Sequence, residues 1–219
     1  MNLNRRHCIV LTANLAGIGI YGNAAATASP PARPGDTILV LGDSLSAEYG
    51  LKRGTGWVAL LEQQLQKEKI QAAVVNASIS GDTTSGGRAR LAALLAQHQP
   101  TLVVIELGGN DALRGLPLGL TRDNLLAMTR LAQKSGARVV LLGMQMPPNY
   151  GRDYALSFSR MYDDVAKATR AALVPFFLKG IADAADSMVW FQADRIHPTE
   201  AAQARMLANV WPTLKKGLK

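Results

Sequence analysis

From residue 36 onward, short apolar runs alternate with longer segments whose apolar residues recur at helical spacing. "TILVLG" (residues 37–42) is short, rich in strand formers and stopped by a glycine, which predicts a strand. "GWVALLEQQLQKEK" (56–69) places Val58, Leu61 and Leu65 on one helical face. "AAVVNA" (72–77) predicts a second strand, and "GGRARLAALLAQHQ" (86–99) a helix stopped by Pro100. "TLVVIELGG" (101–109) is continuously apolar, as a strand covered on both faces must be. "TRDNLLAMTRLAQKSG" (121–136) predicts a helix with Thr121 as N-cap and Gly136 as C-cap. "ARVVLLG" (137–143) predicts a fourth strand, residues 154–173 a long helix, "VPFF" (174–177) a short fifth strand, and residues 198–216 the closing helix. Alternation of this kind predicts an α/β fold with a parallel sheet of about five strands covered on both faces. Ligands of such sheets sit at the carboxyl ends of the strands. Three polar clusters fall there: "GDS" after strand one, "NASISGDT" after strand two and "GGND" after strand three.

The first 34 residues follow a different pattern. Arg5 and Arg6 precede an apolar stretch from Cys8 to Tyr21, and A-x-A sequences follow at residues 24–28. Basic start, apolar middle and small-residue end form the plan of a cleaved export signal. The expected organisation is a signal peptide over residues 1–26 with cleavage at 26 or 28, a linker over 27–34, and one domain over 35–219. The product would be periplasmic or secreted. Cys8 is the chain's single cysteine and lies inside that leader, so the exported protein would have neither a disulfide nor a cysteine nucleophile.

Composition narrows the function. Hydrophobic residues make up 48% and charged residues 18%, an ordinary globular balance. The net charge of +8 is spread along the chain, and aromatics are only 5%. A nucleic-acid surface would cluster its cations and interleave aromatics, so no nucleic-acid partner is expected. The charge serves solubility and weak attraction to a membrane surface. No cluster of metal ligands stands out, and no metal or cofactor is expected.

Candidate chemistry starts with a base. Of three histidines, His7 is in the leader, and His98 closes a helix before a proline, a place the helix dipole favours. His197 in "QADRIHPTE" remains, with Asp194 three residues upstream. That spacing lets the carboxylate reach the imidazole and fix its tautomer. Ser44 in "GDSLS" is the candidate nucleophile. Taken alone, Gly42-Asp43-Ser44 reads equally as a strand-to-helix turn with a capping serine. The second glycine of a G-x-S-x-G elbow is absent. An acyl-transfer site also needs donors for the developing oxyanion. The N–H groups of Ser44 and Gly81 and the side-chain amide of Asn110 are the candidates, each otherwise an ordinary turn residue.

"GDSLS", "NASISGDTT", "ELGGND" and "DRIHP", in that order, resemble the blocks of the SGNH, or GDSL, hydrolase family. "VVNASISGDT", "LLAQHQP", "ELGGNDALRGL" and "NYGRDYALSFSRMY" resemble its bacterial periplasmic acyl-CoA thioesterase, protease and lysophospholipase group. The resemblance implies a three-layer flavodoxin-like SGNH fold and hydrolysis of esters and thioesters through an acyl-enzyme. It implies Ser44 as nucleophile, His197 as base, Asp194 as its orienter, and Ser44, Gly81 and Asn110 as oxyanion donors. It implies substrate contacts from Asp43, Leu45, Ala112, Leu113, Arg114, Met146, Pro147 and Ile196. The partner would be a small acyl ester or thioester, and the protein a monomer. Glu48 and Arg195 depart from the group, and are expected to alter the charge of the entrance. Two other classes remain open: a carbohydrate deacetylase on the same fold, and a binding module without catalysis.

Overall fold

The computed structural model describes residues 35–218, so the leader, its cleavage site, His7, Cys8 and the linker lie outside the described residues. Five parallel strands form one sheet: β1 (Asp36–Gly42), β2 (Ala72–Asn76), β3 (Leu102–Glu106), β4 (Arg138–Leu142) and β5 (Ala172–Val174), in the order β2-β1-β3-β4-β5. The connections carry α1 (Trp57–Lys67), α2 (Thr84–His98), the short α3 (Gly109–Leu113), α4 (Leu118–Lys134) and α5 (Arg152–Thr169), and α6 (Glu200–Lys216) closes the chain.

The pleat divides each apolar strand between two cores. Leu39, Leu41, Val103, Ile105, Val139 and Leu141 face α2, α4 and α5, meeting Leu91, Leu125, Met128 and Phe158. Ile38, Val40, Leu102, Val104, Val140 and Leu142 face α1 and α6, meeting Trp57, Leu61, Met206 and Val210. Side chains that alternate across a strand leave no polar position when both faces are covered. The strands therefore read as unbroken apolar runs.

Three element ends differ from expectation. Thr121 lies in the second turn of α4, fully buried, with its hydroxyl donating to Asp111 at 3.3 Å; the helix starts earlier because Pro117 presets its entry. Ser135 occupies the C-cap, and Gly136 follows in a left-handed conformation. The fifth strand is residues 172–174 instead of "VPFF": Arg170 turns left-handed and ends α5, and Pro175 brings no N–H for a ladder.

Strand order reverses between β1 and β3, since β2 lies outside β1 on one side and β4 beyond β3 on the other. In sheets of this kind ligands bind at that switch point, beyond the carboxyl ends of the two strands. The switch point receives the segments that begin at Asp43 and at Leu107. His98, at the last turn of α2, belongs to the opposite edge of the sheet.

Leu61 is fully buried between α1 and the sheet. Leu61→Ala should destabilise the protein by about 2–5 kcal/mol. A urea titration reads this as a lowered midpoint, with ester turnover per folded molecule unchanged.

Candidate active site

After β1 the chain enters a tight turn. The N–H groups of Ser46 and Ala47 return to the Asp43 carbonyl at 3.3 and 3.0 Å, and Tyr49 N–H to Ser44 at 3.3 Å. Ser44 stands on the outer side of that turn, half-buried. His197 arrives from 153 residues away, with Nε2 2.9 Å from Ser44 Oγ. Its Nδ1 is 2.7 Å from Asp194 Oδ2. The other carboxylate oxygen of Asp194 accepts the N–H groups of Ile196 at 2.9 Å and His197 at 3.0 Å. The His197 N–H, the imidazole and the Ile196 N–H hold the Asp194 carboxyl down at about 2. Its charge would be lost only as pH falls through that value, so Asp194 stays anionic across the neutral range.

Gln192 ties the histidine loop to the serine turn. Its backbone N–H bonds the His197 carbonyl at 2.8 Å, and its amide donates to the Tyr49 carbonyl at 3.0 Å and to Pro198 at 3.1 Å. The Tyr49 ring lies against the imidazole with centroids 4.3 Å apart. Neither residue carries a spacing signal that would have singled it out in the sequence.

Gly81 has φ +78, a left-handed backbone that favours glycine, and its carbonyl accepts the Arg114 guanidinium at 2.8 Å. Arg90 steadies the same loop from α2. It pairs with Asp82 at 2.7 Å and donates to the Ala77 carbonyl. Asn110 sits on α3, with its side-chain amide donating to Asp43 Oδ2 at 3.0 Å. Asp111 beside it is buried and receives both the N–H and the hydroxyl of Thr84. The start of α2 is thereby fastened to α3.

Beneath the serine lie two buried carboxyl groups, Asp43 and Glu106, 3% and 1% exposed. Glu106 Oε2 accepts the Asp43 N–H at 3.3 Å and the Ser46 hydroxyl at 2.8 Å. Burial, and then the neighbouring Asp43 charge, push the Glu106 carboxyl well above its ordinary value of 4.5. Burial raises Asp43 to about 6, against the pull of Leu45 N–H, the Asn110 amide and His197.

The expected substrate residues separate into two groups. Leu113, Arg114, Pro147 and Ile196 are exposed. Ala112 and Met146 are packed into one core, Leu45 lies against the other, and the Asp43 carboxylate faces inward. Ala112, Met146 and Asp43 are buried, and Leu45 is half-buried. Glu48 differs from expectation. The Glu48 carboxylate is taken up by the N–H groups of Gly54 and Gly56 at 3.0 and 2.8 Å, so it staples its own loop. Arg195 supplies a left-handed turn, φ 60, between the acid and the histidine.

Residues 40–205 match the GDSL-like lipase/acylhydrolase family. The chain belongs to that family. It is 56% identical over 179 residues to "Esterase TesA" of Pseudomonas aeruginosa, covering 82% of this chain and 88% of that protein. It is 42% identical over 190 residues to an arylesterase of Vibrio mimicus, covering 87% and 94%. It is 44% identical over 168 residues to "Thioesterase 1/protease 1/lysophospholipase L1" of Escherichia coli, covering 77% and 78%. The crystal structure of TesA superposes with a TM-score of 0.80 at 55% identity, covering 83% of this chain and 99% of that one. The psychrotrophic esterase EstA of a Pseudoalteromonas species, inhibited by monoethylphosphonate, gives 0.77 at 41%, covering 83% and 97%.

The Glu106 carboxyl has a testable signature. An unfolded chain releases this proton near 4.5, while the folded chain holds it to much higher pH. Between those values folding takes up a proton, so stability is lost as pH rises. Glu106→Gln removes that dependence. Its urea midpoint should therefore gain on the wild type between pH 5 and pH 8; a constant difference would mean that Glu106 is ionised in the fold.

Proposed function

We propose that this ester hydrolase works through a triad of Ser44, His197 and Asp194, with Ser44 N–H, Gly81 N–H and the Asn110 amide as oxyanion donors. The observation that carries the reading is the continuous contact from Ser44 Oγ to His197 Nε2 at 2.9 Å and from Nδ1 to Asp194 at 2.7 Å. A serine hydroxyl is a weak nucleophile until a base removes its proton, and an imidazole is a usable base only in the correct tautomer. Asp194 selects that tautomer by accepting from Nδ1.

In the acylation step, Ser44 Oγ bonds to the acyl carbon while its proton passes to His197 Nε2. The carbonyl oxygen gains the negative charge and turns to the three donors. Collapse breaks the bond to the alcohol or thiol, which leaves with the proton from His197. Water then attacks the acyl-serine with His197 again as base, releasing the acid and restoring Ser44. Asp194, anionic throughout, stabilises the imidazolium in both halves.

Small acyl esters and thioesters, among them aryl esters and lysophospholipids, are the substrates this reading assigns. Exposed Leu113, beside the Arg114 that bonds Gly81, and exposed Ile196, beside His197, suit an apolar acyl chain. The basic, apolar and small-residue segments of residues 1–28 support export with cleavage at 26 or 28, followed by a linker to residue 34 and a single catalytic domain to residue 219. We read the protein as a monomer in weak contact with a membrane surface, in the periplasm or outside the cell.

Initial rates on p-nitrophenyl esters of increasing acyl length test the reaction. The wild type should cleave them with a chain-length optimum, and Ser44→Ala should lose at least about a thousandfold in kcat. Equal cleavage by the variant would sink the triad and leave a binding module. Turnover of acetylated sugars alone would favour a deacetylase.

Asn110→Ala should lower kcat on the order of a hundredfold or more, the usual cost of removing one oxyanion donor. The same kinetics read this, and an unchanged rate would remove Asn110 from the oxyanion site.

A further inference from the structure

The triad makes no use of the two carboxyl groups beneath Ser44, yet they reach the oxyanion side of the site through Asn110. Hydrogen-bond direction can be followed through them from one fixed point. The Trp57 indole can only donate, and it donates to Ser46 Oγ at 3.1 Å. The Ser46 hydroxyl then donates onward to Glu106 Oε2, 2.8 Å away. The same oxygen also receives the Asp43 N–H. A proton on Glu106 is therefore placed on its other oxygen, and the Glu106 and Asp43 side chains interact directly. Asp43 in turn accepts the Leu45 N–H on Oδ1 and the Asn110 amide on Oδ2, both at 3.0 Å.

Charge counting agrees with that direction. Among the described residues, the groups acting on Glu106 are Asp43 and Ser46, with no lysine or arginine, and Tyr162 nearby gives its hydroxyl to the Leu107 carbonyl at 3.0 Å. Asp43 faces Leu45, Asn110, Glu106 and, across the site, His197. Two buried carboxylates in contact do not both ionise, so the pair keeps one proton on the more deeply enclosed member.

We propose that protonated Glu106 holds the Asp43 carboxylate, and that Asp43 sets the Asn110 side-chain amide so that its second N–H faces the oxyanion. This rests on the reading of Asn110 as an oxyanion donor. A primary amide has two nearly isosteric orientations, and the wrong one would present its carbonyl oxygen to a developing negative charge. Flipping Asn110 would bring that oxygen against Asp43 Oδ2, acceptor against acceptor. Asp43 and Glu106 are positioning residues: they touch no reacting atom, and they make the amide's orientation single-valued before substrate arrives.

The test is a double-mutant cycle on a p-nitrophenyl ester with Asp43→Asn, Asn110→Ala and the pair, with urea midpoints for each. Asparagine offers one acceptor where the carboxylate offers two, so Asp43→Asn should lower kcat about tenfold or more and move KM less than about threefold. In the Asn110→Ala background the same change should cost less than about threefold. Equal factors in the two backgrounds would overturn the proposal while leaving Asn110 in the oxyanion site. An unchanged kcat in Asn110→Ala would overturn both. If Asp43→Asn does not fold, Glu106→Gln and Glu106→Leu decide. Glutamine accepts from Ser46 and donates toward Asp43, as a protonated glutamate does, and leucine does neither. Glutamine should exceed leucine at least about tenfold in kcat; equal rates would overturn the proposal.

Discussion

Gly42 lies opposite Glu106 in the parallel register of β1 and β3. A Cβ on Gly42 would come within 2.8 Å of the Glu106 carboxylate and 2.9 Å of Ser46. The strand can therefore end there only in a residue without a side chain. That close approach seats Glu106 under the turn, lets it take the Asp43 N–H and the Ser46 hydroxyl, and sends Ser44 to the outer side. The opening glycine of "GDSLS" is a packing requirement first, and the position of Ser44 follows from it.

The site is assembled from loops, but each loop is fastened to something rigid. Trp57, the first residue of α1, reaches back to Ser46, and its own N–H is held by Gln203 of α6 at 3.0 Å. Asp111 joins the starts of α2 and α4 to α3 through Thr84 and Thr121. Gln192 spans the serine turn and the histidine loop. Catalytic geometry must hold to a fraction of an ångström, and loops reach that precision only when their polar groups are all engaged. The apolar cores below supply the stability against which such turns are held. Glu48 and Arg195, both in left-handed backbone, are local strains that the surrounding bonds maintain.

Much of this was legible in the sequence because the signals are local. Residues 37–42, 101–109 and 137–143 read as strands since a parallel sheet covered on both faces admits no polar alternation. Ser44, Gly81 and Asn110 stood out because they fall together at the carboxyl ends of three strands, and Asp194 and His197 because no other histidine was a credible base. The "VPFF" strand and the Thr121 cap went wrong for local reasons too. Hydrophobicity cannot separate Ala172–Val174 from its apolar continuation, and a threonine aimed at a buried aspartate looks like one capping a helix.

Sequence alone determined the layer architecture, the strand-end clusters and the candidate reacting groups, because periodicity and residue chemistry are carried by neighbours in the chain. Tertiary structure decided what those groups touch. Pairing β3 beside β1 brought Glu106 beneath Asp43, and folding brought His197 onto Ser44 across a sequence separation of 153. Asp43 read as a substrate contact until the fold turned it inward toward Asn110. The direction of a buried carboxylate depends on partners distant in sequence, and no local pattern encodes it.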